Sequence, residues 1–436
     1  MVSNDSCKDK AVKIAFDNIA IQRIEEQCIN CGRCKTICED FVGVKYDHMK
    51  AKEAVCINCG QCILNCPVGA LIPKYDYKRV LNYLHDTEKI VTISIAPAVR
   101  TSIGEGFNQD PGTFLEKELI GALKMAGFDY VFDVTFGADL TIMEEATELI
   151  RRKEAKENLP MFTSCCPSWV KYLEIYHPSL LNHLSTTKSP IACQSAIINT
   201  YFSKMQNIAK SAIINVVVVP CTAKKFEIKR TEMGMDIALT TSELVLLLKE
   251  SNIDISKVKP KEFDSILAKG SGAGLIFGSS GGVLEAVLRC ANYFLTGEEK
   301  EELFDFEAIR GDNKVKKATV NLGKYSLKVA AVSGMPNIEE VLKELTDYDF
   351  IEVMNCPNGC VGGGGQVLGA INKQREINMK RSLALYLDDN KNKIKASYAN
   401  PDIISIYKTY LKEPGSDKAL KILHTSFKDR SSILGE

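Results

Sequence analysis

Residues 28–38 read CINCGRCKTIC, and residues 56–66 read CINCGQCILNC. Each run has the spacing C-x2-C-x2-C-x3-C, with its thiols at Cys28, Cys31, Cys34 and Cys38 in the first and at Cys56, Cys59, Cys62 and Cys66 in the second. A four-iron cluster takes three thiolates from one tight loop and the fourth from the end of the other run. Zinc sites rarely draw four cysteines from one such run. The two runs therefore predict two 4Fe-4S clusters that lie close together.

The bulk composition limits the possible partners and compartment. The chain has 436 residues, 45% of them apolar, which is enough for about three domains. Its 55 basic and 55 acidic residues balance, which argues against a nucleic-acid partner. The sequence contains no apolar run of about 18 residues, so we expect no membrane span. A polar N-terminus and sixteen cysteines without an export signal indicate a reducing, cytoplasmic setting.

The pattern of apolar and polar residues changes after the cysteine runs. Residues 1–88 form the predicted cluster-binding module, which the stretch 70–73 would close as a strand. Beyond it, apolar strand-like runs alternate with helical patterns, which predicts parallel sheets covered by helices. The predicted strands are 91–96, 130–134, 214–219, 328–332 and 350–353. The predicted helices are 113–126, 141–152, 190–204, 241–249 and 338–345. The charged segment 251–271 predicts a boundary between lobes at about 89–250 and 251–385, with C-terminal helices in 386–436.

A second set of cysteines lies in three short segments of this α/β part. They read TSCCPSW at 163–169, PCTAKKFE at 220–227 and EVMNCPNGCVGGGGQ at 352–366. The segments follow predicted strand ends, which line a crevice in open α/β sheets. Their thiols could hold one more cubane, through Cys166, Cys221, Cys356 and Cys360. The glycine run 362–365 would let the backbone approach a cluster closely. The alternative is four ordinary buried thiols.

These segments resemble the three signature motifs of the iron–iron (FeFe) hydrogenases: T-S-C-C-P-x-W, P-C-x-x-K-x-x-E and E-x-M-x-C-x-x-G-C-x-x-G-G-G-Q. Similarity extends to residues 96–100, 136–140, 143–145 and 423–425, and covers about residues 25 to 430. The resemblance implies an α+β, ferredoxin-like module over 1–88. It also implies a two-lobed α/β H-cluster domain over 89–436, with parallel-rich sheets flanked by helices.

The resemblance also implies a cofactor. In the family, the H-cluster is a cubane bridged through one cysteine to a two-iron unit with CO, cyanide and a dithiolate bridge. The four thiols named above would ligate the cubane, with Cys360 as the bridge. Lys224 would donate to a cyanide and Glu227 would orient that lysine, although the two could also form a plain helix-surface pair. Further contacts to the two-iron unit would come from Pro97, Ala98, Phe277 and Met354.

Hydrogen chemistry also needs a path for protons. Cys165 neighbours a ligand cysteine but is surplus to the cubane, and a thiol can pass a proton. Glu145 and Glu148 stand at i and i+3 on one predicted helix face, so they could extend the path. By similarity to the family, Ser185 would supply a hydroxyl between these carboxylates and the thiol, and Arg152 would be the entrance. The default alternative for such carboxylates is a solvated helix face.

Three positions depart from the family pattern. Val219 replaces a common methionine, Ala98 replaces a serine that bonds a cyanide, and Ile191 replaces a glutamine. These changes remove polar or polarizable groups around the cluster, and such groups tune its potential. We therefore expect a catalytic bias or rate that differs from the best-known hydrogen producers.

The resemblance implies reversible interconversion of dihydrogen with protons and electrons. The expected electron carrier is a small ferredoxin or flavodoxin, because the sequence has no convincing dinucleotide fingerprint. Separate maturation proteins would insert the two-iron unit. Two alternatives remain: a slow dihydrogen sensor, and a non-catalytic hydrogenase-like scaffold of iron–sulfur assembly.

Overall fold

The computed structural model of this protein describes residues 10–43, 55–265, 267 and 270–434. Cys7 lies outside the described residues. The other fifteen cysteines lie within them, and all fifteen are free of disulfide bonds.

Ten strands are described, and they form one two-stranded and two four-stranded sheets. The strands are β1 (Ile21–Arg23), β2 (Leu71–Pro73), β3 (Ile90–Ile95), β4 (Tyr130–Asp133), β5 (Met161–Phe162), β6 (Ile213–Val219), β7 (Ile237–Thr240), β8 (Val315–Leu322), β9 (Tyr325–Ser333) and β10 (Phe350–Met354).

Helices connect and cover these sheets. The first eight are α1 (Arg33–Thr36), α2 (Gln61–Leu64), α3 (Tyr77–Leu84), α4 (Pro97–Arg100), α5 (Glu116–Ala126), α6 (Val134–Ala155), α7 (Pro167–Tyr176) and α8 (Pro190–Ile197). They are followed by α9 (Ser203–Met205), α10 (Lys224–Glu227), α11 (Thr241–Glu250), α12 (Gly272–Ile276), α13 (Gly282–Thr296), α14 (Met335–Leu342), α15 (Gln374–Lys391), α16 (Pro401–Ile406) and α17 (Asp417–Leu423). Among the described helices, none has the length and apolar character that a bilayer crossing requires.

The N-terminal module is built around the two cysteine runs. Strands β1 and β2 pair antiparallel, with Ile21 opposite Pro73. Inside each run the chain turns at a glycine with positive φ, 80° at Gly32 and 71° at Gly60, directly before α1 and α2. Glycine adopts this left-handed conformation without a steric penalty, so each run can fold into a tight loop.

The first large sheet has the strand order β4-β3-β6-β7 and is parallel throughout. All seven residues of β6, IINVVVV, are buried. A strand that is apolar on both faces belongs inside a parallel sheet covered by helices on both sides. This sheet confirms the α/β architecture expected from the alternating pattern.

The second large sheet has the order β5-β10-β9-β8. Strands β5, β10 and β9 are parallel, whereas β8 pairs antiparallel with β9 as a hairpin. The sequence did not predict β8, because its residues alternate between buried and exposed positions and include two lysines. An edge strand with one solvent-exposed face lacks the continuous apolar run that is typical of the buried strands.

Two elements cross the lobe boundaries expected from the sequence. Strand β5 lies in the first expected lobe, yet it pairs with β10 of the second sheet. Helix α15 runs from Gln374 to Lys391 and continues through the expected boundary at 385. The second sheet therefore includes a strand from the first expected lobe.

Helix α6 is the longest helix described, and it follows β4 without a loop. Asp133 caps it by accepting a hydrogen bond from the Thr135 N–H at 2.8 Å. The sequence predicted only residues 141–152, but the helix covers 22 residues. Most of its residues are buried, including Glu145, Glu148 and Arg152. Such burial excludes the alternative of a solvated carboxylate face.

Candidate active site

The four cysteines proposed for the third cubane meet between the two large sheets. Cys166 follows β5, Cys221 follows β6, and both Cys356 and Cys360 follow β10. Burial, and then the neighbouring Cys221, raise the pKa of the Cys356 thiol well above its ordinary value, and Cys166 and Cys360 act in the same direction. Each of these thiols therefore lies within electrostatic range of the others. Carboxyl ends of parallel strands commonly converge in this way.

The donor set suits a cluster better than a single ion. Across the described parts of the chain, no three cysteine, histidine or carboxylate side chains converge tightly enough to bind one metal ion. Thiolates around a cubane stand farther apart, because each binds a different iron. Burial, and then Cys166, raise the pKa of Cys221 to about 12, so the uncompensated thiolate is disfavoured. An all-sulfur set of this kind fits an iron–sulfur cluster, whose positive irons compensate the thiolates.

A cavity of about 80 Å³ adjoins the quartet, and Cys166, Cys221 and Cys360 all line it. The four side chains expected to contact the two-iron unit from other segments all line it: Pro97, Ala98, Phe277 and Met354. Its polar groups come mainly from Cys165, Lys224 and the ligand cysteines. The cavity is otherwise apolar, as a water-excluding site for a small organometallic group would need to be.

The ammonium of Lys224 reaches this cavity from α10. Its Nζ lies 2.5 Å from Glu227 Oε2 and donates to the Cys165 carbonyl at 3.0 Å. Ser189 Oγ donates to the other oxygen of Glu227. Burial disfavours the Lys224 ammonium, but the Glu227 carboxylate outweighs burial and holds the pKa of Lys224 above its ordinary value. The lysine is therefore a positioned cation, and the surface-pair alternative does not fit its burial.

The residues expected to pass protons lie near one another, from Cys165 at the cavity to Arg152. Cys165 lies near Glu145, because burial and then the Glu145 carboxylate raise the pKa of Cys165 well above its ordinary value. Ser185 Oγ donates to Glu148 Oε2 at 3.0 Å and lies beside Glu145. Arg152 Nη2 donates to Glu148 Oε1 at 2.7 Å.

Glu145 has an unusual environment. Among the described residues its two carboxylate oxygens are buried without a hydrogen-bond partner of good geometry. Burial, and then the nearby Glu148 carboxylate, raise the pKa of Glu145 to about 8. A carboxyl group with this pKa can gain or lose a proton near neutral pH, which is the property that a relay requires.

The N-terminal cysteines separate into two groups, each drawing on both runs. One small cavity is lined by Cys28, Cys31 and Cys34 of the first run together with Cys66 of the second. Burial raises the pKa of Cys62, and the thiols of Cys59, Cys56 and Cys38, followed by the weaker contribution of Cys34, raise it further. Each group thus combines three thiols of one run with the last thiol of the other, as a two-cluster module requires.

The glycine run 362–365 brings the two parts of the chain together. A Cβ added to Gly364 would lie 2.3 Å from the Cys59 carbonyl oxygen, and one added to Gly363 would lie 2.2 Å from the Pro220 carbonyl oxygen. These glycines therefore allow a close approach of backbone to backbone. Gln61 Nε2 also donates to the Gly362 carbonyl at 2.9 Å. The second cysteine run is thus fixed beside the quartet.

Comparison with known proteins identifies the family. Residues 89–364 match the model of the iron only hydrogenase large subunit, C-terminal domain, and residues 375–430 match that of the iron hydrogenase small subunit. The chain belongs to the iron-only (FeFe) hydrogenase family. Family membership confirms the resemblance found in the sequence and implies an H-cluster and iron–sulfur clusters as cofactors.

Individual relatives agree with this assignment. The chain is 38% identical to the NADP-reducing hydrogenase subunit HndD of Solidesulfovibrio fructosivorans, over 95% of this chain and 75% of the relative. It is 37% identical to iron hydrogenase 1 of Clostridium pasteurianum, over 97% and 78%. The structure of apo FeFe-hydrogenase HydA1 from Chlamydomonas reinhardtii superposes with a TM-score of 0.70 at 34% identity, covering 81% of this chain and 98% of that one. A cytosolic iron-sulfur assembly component 3 of Bos taurus is 30% identical, over 78% and 75%.

The three departures from the family pattern all lie at the cavity. Val219, Ala98 and Ile191 are part of its lining, so each would face the two-iron unit with an apolar side chain. By contrast, Cys193 and Cys290 are fully buried in the apolar core beside α6 and do not line the cavity.

Sequence reasoning missed several polar residues around the relay. Thr186 Oγ1 lies within hydrogen-bond distance of both Glu148 and His424. Glu144 lies within hydrogen-bond distance of His424 and accepts a hydrogen bond from Tyr407. An isolated histidine in a C-terminal segment gives no signal of its partner across about 240 residues of sequence. Only the segments 143–145 and 423–425, which are similar to the family, pointed to this region.

Proposed function

We propose that this protein is an FeFe hydrogenase that interconverts dihydrogen with two protons and two electrons. One arrangement carries the proposal: a single cavity contains Cys360 of the quartet, the cation of Lys224 and the thiol of Cys165. A buried series of proton-accepting groups begins beside that thiol at Glu145. An electron route, a cofactor pocket and a proton route thus meet at one point.

The quartet and the cavity would hold the H-cluster. Cys166, Cys221 and Cys356 would bind the cubane, and Cys360 would join it to the two-iron unit. When bound, the two-iron unit supplies the metal site at which the bond of dihydrogen is broken or formed. Lys224, held by Glu227, would donate a hydrogen bond to an anionic ligand of that unit. Phe277 and Met354 exclude water from the same space.

The protein side of proton transfer follows from the contacts of the relay. Cys165 would exchange a proton with the bound cofactor and with Glu145, whose pKa of about 8 keeps it protonated at neutral pH. Ser185 can accept a proton from one carboxyl group while donating its own to the other, since it bonds Glu148 and lies beside Glu145. Glu145, Ser185 and Glu148 are all buried, so these transfers would take place away from bulk water.

Electrons would pass through two N-terminal 4Fe-4S clusters. The cluster held by Cys56, Cys59, Cys62 and Cys38 would lie next to the quartet, because Cys59 acts electrostatically on Cys356. The cluster held by Cys28, Cys31, Cys34 and Cys66 would face the exterior, where Cys31 is exposed. We propose a small ferredoxin or flavodoxin as the carrier at this end. Separate maturation proteins would supply the two-iron unit.

An assembly scaffold is the main competing function, because the bovine relative carries that name. A scaffold needs cubane cysteines but has no use for a buried relay. In this chain Cys165, Lys224, Glu145, Glu148 and Ser185 are all present and connected. In a scaffold, burying these polar groups would lower stability and serve no function. A slow sensor of dihydrogen would share the site, and only its turnover rate separates it from an efficient enzyme.

The test is maturation of the full chain with the two-iron cofactor, followed by infrared spectroscopy and a dihydrogen assay with a reduced viologen. The proposal expects bands of terminal CO and cyanide together with sustained gas evolution. Bands without turnover above about one event per minute would favour the sensor. Absence of the bands after maturation, with the iron–sulfur clusters intact, would favour the scaffold.

A further inference from the structure

Glu148 lies at a junction of hydrogen bonds that extends beyond the relay described above. Its Oε1 accepts from Thr186 Oγ1 at 3.3 Å. Thr186 Oγ1 in turn lies 2.8 Å from His424 Nδ1. The other ring nitrogen, Nε2, lies 3.0 Å from Glu144 Oε2. A titratable imidazole is therefore connected to Glu148 through one hydroxyl group.

Arg152, the entrance residue expected from the sequence, is placed differently. Its Nε and Nη2 both donate to Glu148 Oε1, at 3.1 and 2.7 Å. Nη1 and Nη2 also donate to backbone carbonyls, those of Asn158, Asn182, His183 and Leu184. These bonds occupy every N–H group of the guanidinium. A guanidinium also does not give up its proton in proteins, so it cannot relay one.

We propose that Glu148 exchanges protons with the exterior through Thr186 and His424, and that Arg152 is a positioning residue that orients Glu148. The inference rests on the proposed function, because it concerns the outer end of the same proton route. It replaces a guanidinium, which does not release a proton, with an imidazole, whose ring nitrogens can both donate and accept one.

The transfer balances within the side chains shown. The Nδ1–H bond of a doubly protonated His424 breaks, and its proton forms a bond to Thr186 Oγ1. The hydroxyl hydrogen of Thr186 passes at the same time to Glu148 Oε1, which becomes a neutral acid. His424, left neutral, takes a new proton from water, since 9% of its side chain remains exposed. No electron moves, and reversing the steps releases a proton.

The surroundings of His424 hold its ring in the required orientation. Glu144 fixes Nε2, and that carboxylate is itself held by Tyr407 Oη at 2.6 Å and by the Gly415 N–H at 2.8 Å. With Nε2 fixed, Nδ1 faces Thr186. Four other titratable or charged groups face this region. Glu148 lies on α6, and Lys188 donates to the Ile422 carbonyl. Glu232 accepts a hydrogen bond from Thr425, and Cys193 lies beside the Leu423 carbonyl.

The test follows proton exchange directly in the full chain carrying its iron–sulfur clusters, without the two-iron unit. Protonated Glu145 gives an infrared carboxyl band at neutral pH, assigned by its loss in Glu145→Gln, and rapid mixing with D2O reports its exchange rate. Thr186→Val removes the hydroxyl group at nearly constant side-chain volume, and Thr186→Ser keeps a hydroxyl group at this position. His424→Gln keeps a side chain that can form hydrogen bonds but cannot transfer a proton. Thr425→Val is the control, since its hydroxyl binds Glu232 outside the branch.

We expect exchange to slow by at least about tenfold in Thr186→Val and His424→Gln, to recover in Thr186→Ser and to stay unchanged in Thr425→Val. Parental exchange rates in both Thr186→Val and His424→Gln would overturn the proposal, as would slowing confined to Arg152→Lys. In the matured enzyme, external imidazole should restore turnover to His424→Ala. Exchange needs no dihydrogen chemistry, so a chain that lacks turnover but shows this pattern would refute the proposed function and not the branch.

Discussion

Thr222 Oγ1 donates a hydrogen bond of 2.6 Å to the backbone carbonyl of Asn58. Thr222 adjoins Cys221 of the quartet, and Asn58 adjoins Cys59 of the second cysteine run. One bond therefore links the segment that would hold the cubane of the H-cluster to the segment that would hold its electron donor. Electron transfer between clusters depends on such a fixed short separation, so substitutions at this contact should affect it first.

Gly364→Ala should disturb that contact. The added methyl group would lie 2.3 Å from the Cys59 carbonyl oxygen and 2.4 Å from the Gly60 carbonyl carbon, which are backbone atoms that cannot rotate away. We expect slower reduction of the quartet cubane by the N-terminal clusters, followed by rapid-freeze electron paramagnetic resonance. Gly369→Ala is the control, because its methyl group would meet the far ends of two flexible side chains, Ile377 Cδ1 at 2.6 Å and Gln374 Nε2 at 3.7 Å. Equal reduction rates in the two variants would contradict the assigned contact.

Ser185→Ala should interrupt the relay while leaving the cofactor pocket intact. The variant loses the hydroxyl that bonds Glu148 Oε2 at 3.0 Å. Turnover should fall by about 100-fold, the lower range for a lost proton-transfer group, and the CO and cyanide bands should stay in place. Ser203→Ala removes another buried hydroxyl, bonded only to the Asn199 carbonyl, and should retain its activity. Comparable losses in both variants would point to general destabilisation.

The protonation of Glu145 should appear in stability as well as in activity. Burial keeps its pKa at about 8 in the folded chain, against about 4.3 in an unfolded one. Between these values the folded state holds the extra proton, so the free energy of unfolding falls as pH rises. Relative to Glu145→Gln, we expect that fall to reach about 1.4 kcal/mol per pH unit between pH 5 and 8, by denaturant titration at constant cluster content. A pH-independent difference would show that Glu145 is ionised in the folded protein.

Ala98→Ser should restore a polar group to the cavity. Ala98 lines the space beside Phe277 and Gly278, so a hydroxyl there would face the two-iron unit. We expect a shift of a cyanide band in the matured protein and a change of catalytic bias in protein-film voltammetry. Ala122→Ser buries a hydroxyl in α5, remote from the cavity, and should change neither. An unaltered infrared spectrum in Ala98→Ser would mean that the side chain at position 98 does not contact the cofactor.

The sequence predicted the buried framework well, for a physical reason. Strands such as β6 are apolar on both faces, and this pattern has one structural solution inside a parallel sheet. Strand β8 was missed because an edge strand needs only one apolar face. The extent of α6 was underestimated because its first two turns are buried all round and show no helical period.

The residues of the candidate site also fall into two groups, those that the sequence could locate and those that it could not. Motif cysteines and Lys224 could be located because fixed spacings tie them to known chemistry. Thr186 and His424, which extend the hydrogen bonds of Glu148, could not, since they come from separate segments that only the folded chain brings together. Arg152 shows the same limit: its place one turn after Glu148 was visible in the sequence, but its full set of carbonyl partners was not.

The central claim is that Cys360 joins a cubane to a two-iron unit in this cavity. Its most direct test is the Cys360→Ala variant, matured like the parent and compared with Cys193→Ala, which removes a buried thiol outside the cavity. We predict that Cys360→Ala loses the CO and cyanide bands and all dihydrogen evolution and uptake, while Cys193→Ala keeps both. Dihydrogen turnover by matured Cys360→Ala at the parental rate would contradict the account.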